Sequence, residues 1–283
     1  MSLSQRRLGV HTSIAGGIHL SIERAKALGC STIQIFSHNP RQWSVNKIPN
    51  DIIEKFKELK NAYDITPVYI HTSYLINLAA SSNEVLEKSI RLLILEMDLA
   101  DSFGADYVVL HTGSASNDTG PDARRKAIEA LNSIASGKTW KAGLLLENTA
   151  GERGDISSRM EDLAEITNNT SGHLISGVCI DTCHAFAAGY DLTTGDGLSA
   201  LARETETYIG IEKIKLIHLN DSKKACNSHV DRHEHIGIGG IGSKGLKRLI
   251  NHPAFRDVPL ILETPKKTED DDPMNLKTVR SFF

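Results

Sequence analysis

Six short apolar runs along the chain each end on a histidine or a carboxylate, the side chains that commonly bind divalent metal ions in proteins. The run at residues 68–70 ends at His71, for example, and the run at residues 260–262 ends at Glu263. The six terminal residues are His71, His111, Glu147, Asp181, His218 and Glu263. If the runs are parallel strands, these groups meet at one rim, where desolvation and repulsion are costly without a bound cation. The pattern therefore predicts an active site that holds more than one metal ion.

Two local motifs add three candidate ligands. Asp181 and His184 are three residues apart in IDTCH, and one helical turn would place both on the same side. Asp231 and His233 are two residues apart in VDRHEH, and an extended loop would also present both on one side. The nine residues are too many for one tetrahedral zinc ion and suit two or three ions. Adjacent ions about 3.5–4 Å apart can clamp the attacking and leaving oxygens of a phosphodiester.

A second group of residues predicts contact with DNA. The loop SHNPRQW offers Arg41 for stacking and phosphate contact, and the loop HTSYLINLA offers Tyr74 and Leu75 as an apolar wedge between base pairs. The remaining candidate DNA contacts are Asn220 and Lys223 in HLNDSK, and His11 at the end of the first strand.

The elements that position these residues form a repeat. Two earlier strands, residues 8–11 and 32–36, bring the number of strands to eight, and successive ligands are separated by 34–45 residues. Each interval holds a strand, a loop and a helix, so the sequence predicts an α/β protein. Helices are expected at residues 18–28, 51–63, 83–103, 122–135, 160–167, 198–209 and 244–250. Eight such units predict a single TIM-barrel catalytic domain over residues 1–283, with function at the C-terminal rim.

The composition is that of a globular protein, with 40% hydrophobic and 24% charged residues. The absence of an apolar run approaching 18 residues, and of a signal-peptide pattern at residues 1–9, predicts a cytoplasmic protein. The four cysteines form no C-x-x-C pair and are expected to be packing residues. The formal net charge of −3 does not exclude a phosphate substrate, because three divalent ions would change it to +3.

Five longer motifs resemble the endonuclease IV family of metal-dependent apurinic/apyrimidinic (AP) endonucleases. They are ENTAG at 147–151, GVCIDTCHAFAAGYD at 177–191, HLNDSK at 218–223, DRHEHIG at 231–237 and LILETP at 260–265. The resemblance runs from GVHTSIAGG near the start to ETP near the end. It implies a TIM barrel that acts as a DNA-repair hydrolase in base excision repair. The partner is double-stranded DNA with abasic sites or blocked 3′ ends, and the chain is expected to act as a monomer.

The resemblance also assigns roles to residues. It implies three zinc ions, with manganese as an alternative at one site. The first is held by His71, His111 and Glu147, the second by Glu147, Asp181, His218 and Glu263, and the third by His184, Asp231 and His233. The implied mechanism is in-line attack by a zinc-bridging hydroxide, oriented by the catalytic residues Glu147 or Glu263. Cleavage 5′ to the abasic site would leave a 3′-hydroxyl and a 5′-deoxyribose phosphate, and 3′-end cleaning is a second expected activity.

The sequence departs from the family pattern at three places. Thr112 follows His111 where proline is common, His38 stands where lysine is common, and residues 151–156 differ from the usual continuation. None of these departures removes a ligand. They leave the detail of the loops open.

Two other functions are compatible with parts of the pattern. A sugar isomerase on a similar barrel would need fewer ligands and a pocket sized for a free sugar. A metal-binding or DNA-binding scaffold without activity would tolerate the loss of ligands. The complete ligand set and the two DNA loops favour the nuclease.

Overall fold

The computed structural model describes residues 6–115 and 120–283. Eight of its strands belong to one parallel sheet. They are β1 Leu8–Val10, β2 Ile33–Phe36, β3 Val68–His71, β4 Tyr107–Leu110, β5 Gly143–Glu147, β6 Ile175–Asp181, β7 Ile214–His218 and β10 Leu260–Leu262. The strand order is β1-β10-β7-β6-β5-β4-β3-β2, and an isolated parallel bridge between His11 and Gln34 joins β1 to β2. The sheet is therefore a nearly closed barrel, and the predicted α/β barrel is confirmed.

Helices connect the strands and surround the barrel. They are α1 His19–Ala27, α2 Asn50–Ala62, α3 Asn83–Phe103, α4 Gly120–Gly137, α5 Met160–Asn169, α6 Thr182–Ala187, α7 Gly195–Tyr208, α8 Gly242–Ile250 and α9 Asp271–Arg280. The bounds of α3 agree with the prediction, because Ser82 caps its first turn and Gly104 ends it with a left-handed conformation at φ 66°. No helix in the described part of the chain is long and apolar enough to cross a membrane.

Two short strands were not expected from the sequence. β8 Asp221–Ser222 and β9 His233–Glu234 pair antiparallel above the barrel. Each has only two residues, too few to show an alternating hydrophobic pattern. Their pairing holds the segment that carries Asp231 and His233 against the end of β7.

The barrel interior explains why the strand-end ligands point inward. A separate apolar cluster fills the barrel below the rim, and its members are Tyr69, Val109, Leu145, Cys179, Leu216 and Ile261. Each member lies two residues before a predicted ligand, as Tyr69 precedes His71. Because side chains on one face of a strand recur every two residues, a strand that buries its apolar residue in the barrel also directs its ligand there.

Candidate metal centre

The nine predicted ligands converge at the C-terminal rim as three groups. Within each group the potential ligand atoms all lie within 4.8 Å of one another. The groups are His71, His111 and Glu147; Glu147, Asp181, His218 and Glu263; and His184, Asp231 and His233. Segments separated by up to 192 positions in the chain (71 to 263) therefore meet in one cluster.

Glu147 connects the first two groups. Its Oε2 lies 3.1 Å from His111 Nε2 and 3.5 Å from His71 Nε2, whereas its Oε1 lies 2.9 Å from His218 Nδ1. The Glu147 side chain is fully buried at the end of β5. A carboxylate whose two oxygens face different imidazoles is suited to bridge two metal ions.

Hydrogen bonds to the backbone determine, in each of three histidines, which ring nitrogen faces the metal centre. In each of them Nδ1 lies next to a backbone carbonyl, which can only accept a hydrogen bond. The pairs are His71 with Thr72 O at 2.8 Å, His184 with Asn148 O at 2.9 Å and His233 with Glu263 O at 3.0 Å. In the neutral ring the proton therefore lies on Nδ1, and Nε2 presents a lone pair to the carboxylates. Second hydrogen bonds of this kind are typical of metal-binding histidines.

Gln34 orients His218 in a similar way and was missed in the sequence. Its Oε1 lies 2.7 Å from His218 Nε2, and its Nε2 donates to Glu263 Oε1 at 2.6 Å. Because His218 Nε2 then carries the hydrogen, the lone pair of Nδ1 faces Glu147 and Glu263. A polar residue between Ile33 and Ile35 in a buried strand was the available signal.

The charges of the centre are strongly interdependent. Burial would raise the pKa of Glu147, but the imidazoles of His218 and His111 outweigh it and hold that pKa well below its usual range. Burial likewise opposes charge on Asp231, yet the hydrogen bond from His184 lowers its pKa to about 2. For His184, burial favours the neutral ring, but Asp181 and Asp231 raise its pKa well above its ordinary value. The carboxylates therefore stabilise the protonated, positively charged form of the His184 ring.

The side chains fit metal ions. Among the residues that the structure describes, no hydrogen-bond partner reaches the buried atoms Glu147 Oε2 and His233 Nε2. Lone pairs of histidine nitrogens that face carboxylate oxygens in a buried site repel each other, and a cation bound between them removes this repulsion. The nitrogen and oxygen donors suit zinc. Burial raises the pKa of the nearby Cys183 and Cys179 thiols to about 12.

Asp221 holds the loop that supplies two ligands of the third group. Its buried carboxylate accepts hydrogen bonds from the backbone amides of Ser222, Gly237, Gly239, Ile241 and Gly242. A Cβ at position 239 would lie 2.6 Å from Asp221 Oδ1, so only glycine allows this close approach. Asp221 thereby holds the residues that directly follow the segment with Asp231 and His233.

We expect Asp221→Asn to lower the free energy of unfolding by about 3 kcal/mol, because an amide nitrogen would face several buried donors that have no other acceptor. Urea unfolding followed by circular dichroism measures the change. Asp257→Asn is the matched control, since its side chain is 90% exposed. A loss below about 1 kcal/mol for Asp221→Asn would show that other contacts hold the loop.

A cavity of about 890 Å³ opens over the ligands, and two of the six predicted DNA residues line it. Tyr74 is 65% exposed and lines this cavity together with His11. Arg41 is exposed beside the cavity on the neighbouring loop, and Leu75 is partly buried. Lys223 is exposed but is not among the cavity's lining residues.

The structure does not support Asn220 as a phosphate contact. Its side chain is fully buried, where Nδ2 donates to Asp181 Oδ2 at 2.6 Å and Oδ1 accepts from the Glu263 amide at 2.8 Å. Both ends of the amide are occupied by the ligands of the second group. Asn220 therefore orients ligands, and a phosphate cannot reach it.

Comparisons with known proteins agree with this architecture. The family model described as "Xylose isomerase-like TIM barrel" matches residues 22–282. A curated relative from Halothermothrix orenii, named "Probable endonuclease 4", is 43% identical over 270 residues, 95% of this chain and 97% of the relative. The crystal structure of endonuclease IV from Thermus thermophilus has 37% identity and a TM-score of 0.85, and covers 98% of both chains.

A more distant structure shares only the fold. The crystal structure of a D-tagatose 3-epimerase-like protein superposes with a TM-score of 0.73 at 19% identity, covering 98% of this chain and 96% of that one. The barrel alone therefore does not separate nucleases from sugar epimerases. The full-length similarity to the endonucleases does, and the chain belongs to the endonuclease IV family of xylose isomerase-like TIM barrels.

Proposed function

We propose that the protein is a zinc-dependent AP endonuclease that acts as a cytoplasmic monomer on double-stranded DNA. It hydrolyses the phosphodiester 5′ to an abasic site and leaves a 3′-hydroxyl and a 5′-deoxyribose phosphate. The observation that carries the proposal is the convergence of three adjoining ligand groups below an open cavity of about 890 Å³. The endonuclease names of full-length relatives support the same reaction class.

The imidazole nitrogens and carboxylate oxygens of the nine ligands are suited to bind the metal ions that the proposed reaction needs. Three zinc ions, with manganese as an alternative at one site, would be held by the three groups in the assignment given above. Bound there, zinc supplies Lewis-acid stabilisation of the phosphate and lowers the pKa of a water molecule to near neutrality. The fixed orientation of His71, His184 and His218 keeps the ligand nitrogens aimed at the centre.

The protein's own side chains position the reacting groups. Glu147 and Glu263 are the two glutamates of the second ligand group, and we assign them the orientation of the attacking water. Both lie near His218, whose Nδ1 is 2.9 Å from Glu147 and 3.2 Å from Glu263. The placement of these groups before substrate binds reduces the entropic cost of the reaction.

Lesion selectivity would come from the rim. Tyr74 projects into solvent beside the cavity, and Leu75 and Arg41 lie on the same side. An apolar wedge there would open the duplex, and a nucleotide without a base costs less stacking energy to extrude. Because the cavity is open on its outer side, a blocked 3′ end would also reach the ligands, which is the basis for proposing 3′-end cleaning.

The proposed function predicts nicking of a duplex that contains one abasic site. The zinc-loaded protein should cleave only the lesion strand, 5′ to the site, and leave the matched undamaged duplex intact. Gel electrophoresis of both labelled strands, with mass analysis of the ends, identifies the products. Conversion of a free ketose or aldose without nicking would favour a sugar isomerase, and DNA binding without either reaction would favour an inactive scaffold.

A further inference from the structure

Glu96 is a buried acid that the proposed chemistry does not use. It lies in α3, and its side chain is only 1% exposed. A buried glutamate in a helix is costly unless its oxygens meet donors. Burial raises the pKa of Glu96 to about 8, so that the group is mostly uncharged at neutral pH.

The partners of Glu96 belong to two different loops. The Ser73 amide donates to Oε1 at 3.1 Å and to Oε2 at 3.3 Å, and Ser37 Oγ donates to Oε1 at 3.4 Å. His38 Nδ1 lies 3.3 Å from the same oxygen. Ser37, His38 and Ser73 are all buried. One carboxyl group therefore contacts both the Arg41 loop, residues 37–43, and the Tyr74 loop, residues 72–76.

Further hydrogen bonds extend this contact to the exposed residues. Ser73 Oγ donates to Pro40 O at 2.7 Å, directly before Arg41 in the chain. The Leu75 amide donates to Ser73 Oγ at 3.2 Å. His38 Nε2 donates to Gln42 O at 3.1 Å, directly after Arg41. The backbone on both sides of Arg41, and that around Tyr74, is thus connected to Glu96 through Ser73 and His38.

We propose that Glu96 is a positioning residue that sets the distance between the Arg41 loop and the Tyr74 loop, and so controls engagement of the DNA lesion without taking part in hydrolysis. This inference rests on the proposed function. Glu96 lies beneath the loops and touches none of the nine ligands in the hydrogen bonds and ion pairs of the described residues. Its effect should therefore fall on the duplex substrate more than on the metal centre, to which the Tyr74 loop is linked by the Thr72 carbonyl that orients His71.

The test compares two substrates and three variants. The substrates are the abasic duplex and bis(p-nitrophenyl) phosphate, a small activated phosphodiester that needs no wedge. Glu96→Ala removes the carboxyl group, and Glu96→Gln keeps an acceptor for the Ser73 amide. Glu87→Ala is the control, because Glu87 lies in the same helix with a 67% exposed side chain. Hydrogen–deuterium exchange of residues 37–43 and 72–76 provides a readout without DNA.

For Glu96→Ala we expect kcat/KM on the abasic duplex to fall about 10- to 100-fold, mostly through KM, since misplaced binding groups cost factors of this size. Hydrolysis of the small phosphodiester and the zinc content should stay within about twofold. Exchange should accelerate only in the two loops. Glu96→Gln should restore most of the loss, because the uncharged amide resembles the protonated acid.

Two results would overturn the inference. Equal losses on both substrates, or loss of zinc, would make Glu96 a general structural residue. Unchanged duplex cleavage and unchanged loop exchange would leave it without a positioning role. If Glu96→Ala does not fold, Glu96→Asp replaces it, because the shorter side chain keeps the acid but withdraws it from the Ser73 amide. Failure of the wild-type protein to nick abasic DNA would refute the proposed function, while the exchange measurement would still decide the contact between the loops.

Discussion

Glu263→Gln is expected to lower kcat on an abasic duplex by about 1,000-fold, which corresponds to about 4 kcal/mol of transition-state stabilisation. The substitution preserves size but removes the negative charge that faces His218 at 3.2 Å and accepts from Gln34 at 2.6 Å. Single-turnover cleavage of a labelled duplex measures the loss. Binding of the same duplex, followed by fluorescence anisotropy, should change by less than about threefold, because Arg41, Tyr74 and Leu75 are untouched.

Glu269→Gln is the matched control for this experiment, because Glu269 is an exposed glutamate six residues further along the chain. It should cleave like the wild-type protein. If Glu263→Gln retained more than about a tenth of the wild-type rate, Glu263 could not orient the nucleophile. If binding fell together with cleavage, the substitution would have disturbed the whole rim.

Removal of metal is expected to destabilise the fold as well as abolish activity. Nine titratable ligands crowd into one centre, and Glu147, Asp181, His184 and His218 among them are buried. Ions that bind only the folded chain add RT ln(1 + [L]/Kd), about 4 kcal/mol for one site at a thousandfold excess. We therefore expect chelation to lower the free energy of unfolding by at least about 4 kcal/mol.

Thermal unfolding before and after treatment with a chelator measures this effect. Added zinc should restore both stability and cleavage, whereas magnesium should not, because magnesium prefers oxygen ligands and retains its water. His71→Ala provides a control with one ligand fewer, in which the loss on chelation should be smaller. An unchanged unfolding temperature after complete removal of metal would show that the ligand cluster is stable as a hydrogen-bonded network.

Side chains alternate between the two faces of a β-strand, and this alternation allowed the metal centre to be predicted from the sequence. Tyr69 and His71 lie on the same face of β3, and the same relation holds in the other five strands. A run that buries an apolar side chain in the barrel must therefore direct its terminal ligand there. This relation is local, and so it can be inferred without knowledge of the remaining fold.

Residues whose role depends on distant partners could not be found in this way. Gln34, Asp221 and Glu96 are single polar residues in otherwise apolar or loop segments. The partners of Gln34 and Glu96 lie 23 to 229 positions away, and those of Asp221 are backbone amides up to 21 positions away. Asn220 is a further case: the motif HLNDSK made it a candidate phosphate contact, whereas the turn after β7 folds its amide inward between Asp181 and Glu263. The local sequence does not show which distant residues will contact these side chains in the folded protein.

Anomalous diffraction at the zinc edge, from crystals grown without chelator, would locate the bound ions. We expect three zinc peaks per chain: the first among His71, His111 and Glu147, the second among Glu147, Asp181, His218 and Glu263, and the third among His184, Asp231 and His233. No peak among these residues, or zinc bound only elsewhere on the chain, would contradict this assignment.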